Sequence, residues 1–344
     1  FSQLLESARQ MQVSCGAFIP PESNPATSLG TVLGINQRQG RDKVTLVLSD
    51  SLSAFGSWVE QLLAESTGKE GLGLIPIEGE ALGEPAVYAK DRVFIYLFNA
   101  DAGNQSNERK LAALEQAGHP VVRIEIRDRS GLGAEYYRWE LATAIAGSIM
   151  GVNPFDEPNV AESKNNTREI LSEWKQRGSI REGEPTVKEG QISIYYQESA
   201  GCSIEHKQSI LVDFLNTFLS LVKPQDYVGL LAYFWPTPSR HEALQNIRLI
   251  LRDRLKCATT LGYGPRYLHS TGQLHKGGPN KGVFIILTAD SEEDIAIPGE
   301  DYGFATLLRA QALGDFRSLN DKGRRLIRIH LGKEIETGLK RLKE

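Results

Sequence analysis

A chain of 344 residues, 40% hydrophobic and 24% charged, has the composition of an ordinary globular protein and is long for one core, so about two domains are expected. Its 39 Lys and Arg stand against 43 Asp and Glu, and the resulting net charge of −4 argues against a general nucleic-acid or acidic-membrane surface while leaving room for a small anionic ligand. Cys15, Cys202 and Cys257 are odd in number and widely spaced, which suggests neither a disulfide framework nor a zinc site and fits a reducing cytoplasm. No apolar run reaches the ~18 residues of a membrane span.

In chain order, residues 1–13 read as a helix with Leu4, Leu5, Ala8 and Met11 on one face, followed by a breaker-rich loop and a short helix over residues 29–39. Residues 43–48 alternate and are β-branched, a strand, after which Ser49, Asp50 and Ser51 sit where they would cap a helix over residues 52–64. Strand, turn and helix recur as a strand at 92–98, a helix at 107–117 and a strand at 120–126, near-continuous apolar runs suited to a parallel sheet covered on both faces. Residues 136–150 are apolar nearly all round and read as a buried helix ending at Gly151. A proline-broken stretch leads into a helix running towards Gln176, and the polar, Gly-rich residues 177–190 read as a linker. Beyond it come a helix at 207–221, a strand from Asp226, helices at 240–257 and 304–314, and strands at 283–287 and 326–331.

The string S-T-G occurs twice, within Leu62 to Lys69 and within Tyr267 to Leu274, each time after a strand and a helix and before a glycine-rich run and an apolar strand. This reads as a degenerate duplication, with a first unit at 1–176, a linker at 177–190 and a second unit at 191–344. Glu65 stands just before the first S-T-G, at a helix end expected to point into a loop at the carboxyl edge of the sheet, where a carboxylate can act as a general base. The plainer reading is a solvated glutamate paired with Lys69.

AESTGKEGLGLIPI resembles the E-S-x-G-K segment of the phosphoglucose isomerases, and GVNPFDEPNVAESK resembles their more specific N-P-F-D-Q-P-G-V-E-x-x-K signature. The remaining stretches, among them TTLGYGPRYLHSTGQLHKGGPN, are similar to the isomerase half of bifunctional transaldolase/phosphoglucose isomerases, and the likeness covers nearly the whole chain. It implies an α/β fold of two sugar-isomerase (SIS-type) parallel-sheet units with flanking helices. The reaction implied interconverts glucose 6-phosphate and fructose 6-phosphate through an enediolate, with no cofactor and no metal.

In that resemblance Glu65 carries the proton, Lys164 matches the closing lysine of the signature, and His275 matches the histidine that moves the ring-oxygen proton, with His269 as the alternative. Thr67 and Gly68 of the turn and Arg266 would contact substrate. Ser49, Ser51 and Ser53 would cradle its phosphate on a helix N-terminus or serve as caps. The sequence departs from the family at Glu157 for glutamine, at Asn159 for glycine, in the placement of His275 after the signature, and in having no G-G-R-x-S string. That missing string and the opening on Phe1 lead to the expectation of a carboxyl-terminal part whose partners are upstream transaldolase and isomerase segments of a parent chain; a homodimer is compatible with the likeness. A non-catalytic module that binds sugar phosphates is the rival reading.

Overall fold

Branched and aromatic apolar residues fill the strands of two separate sheets, and helices cover the faces. The computed structural model describes residues 1–99, 105–198, 204 and 210–344. Contacts divide the chain into two units, the first Phe1–Pro158 with Gly277–Pro279 and the second Asn159–Lys276 with Asn280–Glu344.

The first unit runs α1 (Ser2–Ser14), α2 (Pro25–Arg38), β1 (Lys43–Leu48), α3 (Ser53–Thr67), β2 (Ile75–Ile77), β3 (Arg92–Asn99), α4 (Gln105–Gln116), β4 (Val121–Ile126) and α5 (Leu132–Met150). Its four strands are parallel in the order β2-β1-β3-β4. β1 alternates in sequence yet is buried almost throughout, with Lys43 paired to Asp42 and Asp91 and Thr45 accepting from Arg92, whereas β4 alternates between buried and exposed because it is an edge strand. α5 is indeed a core helix: Trp139 is fully buried, and Gly151 closes the helix at φ 82°. α2 lies tight against α5, since a Cβ on Gly30 would stand 2.5 Å from the Ala142 carbonyl oxygen and one on Gly34 would stand 2.8 Å from Ile149.

The second unit runs α6 (Val160–Arg177), β5 (Val187–Glu189), β6 (Ile192–Tyr195), α7 (Leu211–Leu219), β7 (Tyr227–Tyr233), α8 (Pro238–Leu255), β8 (Ala258–Tyr263), α9 (Gly272–Gly277), β9 (Gly282–Thr288), α10 (Phe304–Asp321), β10 (Arg325–His330) and α11 (Ile335–Lys343). Its sheet has the order β5-β6-β10-β9-β7-β8, with β10, β9, β7 and β8 parallel and β6 antiparallel to both of its neighbours. One continuous core joins the sheet to α7, α8 and α11. The expected start of α7 at Lys207, and Cys202, lie outside the described residues; Cys15 and Cys257 are both buried. Among the described residues, no helix is long and apolar enough to cross a membrane.

Two expectations change. The stretch 177–190, read as a linker, ends in strand β5, and α6 packs against α10, so the contacts place the division near Pro158. The strands do repeat, because β8-β7-β9-β10 has the order and direction of β2-β1-β3-β4. The two S-T-G strings nevertheless occupy different places in that repeat: the first closes α3 ahead of β2, and the second follows β8 ahead of β9. The topological counterpart of the first string is the end of α8.

The long loop after β9 folds back onto the helix it precedes. Asp294 accepts hydrogen bonds from the Ala305 and Thr306 amides at 2.7 and 3.3 Å, and so caps α10 from ten residues upstream. Asp294→Ala is expected to cost about 1 kcal/mol, the usual worth of such a cap, measured as a lower urea midpoint with an unchanged slope.

Candidate functional site

α3 carries the first S-T-G string. In a parallel β-α-β crossing the helix runs back against the strands, so Glu65 lies towards their amino ends and not at the carboxyl edge expected for it. It is half-buried, and one carboxylate oxygen accepts from the Gln61 amide at 3.1 Å. Lys69 is not its partner: that ammonium, 1% exposed, lies 2.8 Å from the Asp156 carboxylate and also donates to the Asp156 carbonyl. This hydrogen bond holds the Asp156 carboxyl below the usual range. The two strings that carry the family resemblance therefore meet, with the lysine of ESTGK held by the aspartate of NPFDEP.

Thr67 is structural. It is fully buried, and its hydroxyl donates to the Leu63 carbonyl at 2.6 Å and accepts from the Leu74 amide at 2.9 Å. Gly68, also buried, ends α3 at φ −80°. Ser49, Ser51 and Ser53 begin α3 at the carboxyl ends of β1 and β3, the point where strand order reverses and open α/β sheets take ligands. None of them acts as the expected side-chain cap. The Ser49 hydroxyl instead accepts from the Asn99 amide at 3.3 Å, which ties the ends of β1 and β3 together. Ser53 and Glu65 are twelve residues apart on one helix, about 18 Å at 1.5 Å per residue. One hexose phosphate cannot reach both, so within this unit the serine turn and Glu65 do not serve the same substrate.

In the second unit Lys164 is exposed on α6 and lines a cavity of about 240 Å³ together with Thr167, Arg168, His269 and Gln311. Two cations, an imidazole and an amide around such a space suit an anionic, hydroxylated ligand. The histidine present there is His269, exposed at the end of the short 3₁₀ turn Arg266–His269. Arg266 is exposed at the start of the same turn.

His275 is elsewhere. It is 3% exposed and packs among the rings of Tyr227, Tyr267 and Phe284, and burial, with Lys276 and Arg324 nearby, pushes its pKa down to about 3. A neutral core imidazole is a poor shuttle near neutral pH, which corrects the reading of His275 as the ring-oxygen acid. Below its ordinary pKa of 6.5, the unfolded chain binds a proton that the folded chain excludes. Stability should thus fall as pH drops from about 6.5. His275→Gln should flatten that fall, read from urea midpoints compared between neutral and mildly acidic buffer.

The family departure at Asn159 also has a structural account. With φ −98° it needs no glycine, and its amide and side-chain carbonyl pair reciprocally with buried Gln273 at 2.8 and 3.0 Å, joining the end of the signature to the second S-T-G-Q string. Glu157 is exposed. Sequence reasoning missed Asp156 and Gln273, whose only signal was that a buried lysine and a buried glutamine each need a partner. Among the described residues, no group of three or more His, Cys, Asp or Glu is placed to hold a metal ion.

No protein-family model matches the chain. A probable glucose-6-phosphate isomerase of Halobacterium salinarum is 27% identical over 176 residues, covering 41% of this chain and 41% of that protein. The chain is similar to glucose-6-phosphate isomerases. A second one, the probable enzyme of Natronomonas pharaonis, is 29% identical over 184 residues, 43% of this chain and 42% of its own length. The enzyme of Enterococcus faecalis is 24% identical over 206 residues, 49% and 46%. The chain thus spans less than half the length of the curated relatives it matches. Among solved structures, a glucose-6-phosphate isomerase from Chlamydia trachomatis aligns over 98% of this chain and 71% of its own at 9% identity and a TM-score of 0.28. A hypothetical protein from Thermus thermophilus aligns over 99% and 87% at 13% identity and a TM-score of 0.33.

Proposed function

We propose that this chain is part of a sugar-phosphate isomerase that interconverts glucose 6-phosphate and fructose 6-phosphate, moving a proton between neighbouring carbons through an enediolate. The observation that carries this reading is the Lys69–Asp156 ion pair, which unites the two strings shared with the isomerases. Glu65, half-buried at the end of α3, is the proton carrier. Within the second unit, the cavity that Lys164, Arg168 and His269 line suits a phosphorylated sugar. Arg266, on the same turn as His269, adds positive charge.

The finer part of the proposal is that upstream isomerase segments of a longer parent supply the arginine that stabilises the enediolate, since no G-G-R-x-S string is present. The test is a coupled assay of fructose 6-phosphate conversion on the 344-residue chain, alone and mixed with the upstream half. Activity is expected in the mixture. There, Lys164→Ala should raise KM about tenfold by removing a phosphate contact, and His269→Ala should lower kcat by about a hundredfold. Both residues are exposed, so neither change should unfold the chain. No turnover from either preparation would refute the isomerase reading, and binding of fructose 6-phosphate without turnover would favour the non-catalytic module.

A further inference from the structure

The second unit has its own point of strand-order reversal, between the carboxyl ends of β7 and β9. Two cavities of about 200 and 380 Å³ open there and share Tyr233, Asp290, Ser291 and Glu293 on their walls. Together they lie within the size range of small-molecule sites, roughly 300–1,000 Å³, at the place in an open α/β sheet where such sites form. None of the residues assigned above to isomerisation lines either cavity.

The chemistry of the walls narrows the ligand. At the inner end His330 sits between Thr288 Oγ1 and Asp290 Oδ1, at 3.2 and 3.3 Å. Beside it Arg328, 1% exposed, donates to Thr288 and to Glu182 and leaves its Nε without a hydrogen-bond partner. At the outer end Trp235 is 78% exposed and Phe304 55% exposed, an aromatic platform on the lip of a polar cavity.

An anion is disfavoured. Both helices that start at this edge have their first amides taken by the chain's own side chains, α8 by Thr237 and α10 by Asp294. The loop from Asp290 to Asp301 carries six acidic residues and no Lys or Arg. A cation is disfavoured too, because Arg309 and Arg328 line the inner wall and Glu182, which pairs with both, leaves them no net negative charge there. A purely apolar ligand would strip water from Asp290 and Glu293 and give them nothing back.

We propose that this cleft binds a neutral sugar or polyol. A sugar ring offers the two surfaces the cleft is built for: a C–H face to lie against Trp235 or Phe304, and vicinal hydroxyls that donate to carboxylates such as Asp290 and accept from donors such as the exposed Ser291 hydroxyl. The site belongs to the second unit alone and is independent of the isomerase reading, so either can fail without the other.

The test is titration of the full 344-residue chain with D-glucose, sorbitol, glucose 6-phosphate and glucosamine, followed by tryptophan emission and calorimetry. Saturable quenching by glucose or sorbitol in the millimolar range is expected, with the signal lost in Trp235→Phe. Asp290→Asn, a change at a partly exposed side chain, should weaken binding by about tenfold. Trp235→Ala should do the same by calorimetry, which separates loss of the reporter from loss of the platform. No saturable response to either neutral ligand would overturn the proposal. So would tighter Trp235-dependent binding of glucose 6-phosphate or of glucosamine, which would make the site one for ions, or concentration-dependent self-association abolished by Trp235→Ala, which would make the patch a contact between copies.

Discussion

Glu65→Gln is expected to lower isomerisation by roughly 10²- to 10⁴-fold, the usual contribution of a positioned general base, with little change in sugar-phosphate affinity. The amide keeps the shape of the side chain and can keep the contact with Gln61, which is 3.1 Å away one turn back on α3, so the helix end should stay in place. What the substitution removes is basicity. The decisive readout is solvent-deuterium incorporation at the second carbon of the sugar in the assembled enzyme. Incorporation at an undiminished rate would take the role of proton carrier away from Glu65. A fall in kcat with KM intact is the signature of an interaction made in the transition state, and it separates this outcome from a phosphate contact, where KM would move instead.

Lys69 supplies the matching control. Its ammonium is buried and bound to Asp156, so its loss should disturb the fold of the first unit before it disturbs chemistry. The Glu65–Lys69 string thus mixes two kinds of residue within five positions: a half-buried carboxylate, and a buried cation and hydroxyl held by partners inside the fold.

What the sequence shows and hides follows from this difference. Strand β1 was legible to the residue because Lys43–Leu48 alternates, is rich in branched residues and is bounded by polar turns, although Lys43 and Thr45 on its polar positions are buried as well. β5 and β6 were hidden because a short antiparallel edge pair needs few apolar side chains, and Val187–Glu189 sits in a Gly-rich, charged neighbourhood that reads as linker. β8 was hidden because Gly262 interrupts its apolar run; a Cβ there would stand 3.0 Å from Tyr267, so the glycine is a packing requirement and not a turn signal. Composition marked Ser49 to Ser53 and Glu65 alike as loop-side polar groups. Only the direction of α3 shows that they lie at opposite ends of one helix. Likewise His269 and His275 are equivalent as letters, six positions apart, and burial alone distinguishes a histidine on a cavity wall from one in the core.

The largest stability effect is expected at Arg325, at the amino ends of the strands in the second unit. Its guanidinium grips Asp226 with two parallel bonds of 2.5 and 2.9 Å and also donates to the carbonyls of Leu221 and Asn280 at 3.0 and 3.1 Å. Asp226 in turn accepts from the Lys223 amide at 2.6 Å. One residue thereby joins the start of β10 to the ends of the segments leading into β7 and β9, and both partners are about 95% buried. Arg325→Met keeps much of the volume but leaves a buried carboxylate unpaired and two carbonyls without their donor, which should cost about 3–5 kcal/mol. Asp226→Asn in the Arg325→Met background removes the stranded charge while preserving the acceptor for Lys223, so the double variant should recover part of that loss, with a coupling of about 1–3 kcal/mol. Urea unfolding of the single and double variants measures both quantities. Additive losses would mean that the two side chains act independently and that the clamp is not what fixes the amino edge of this sheet. A loss below about 1 kcal/mol for Arg325→Met would show that water or a neighbouring side chain reaches Asp226 once the arginine is gone.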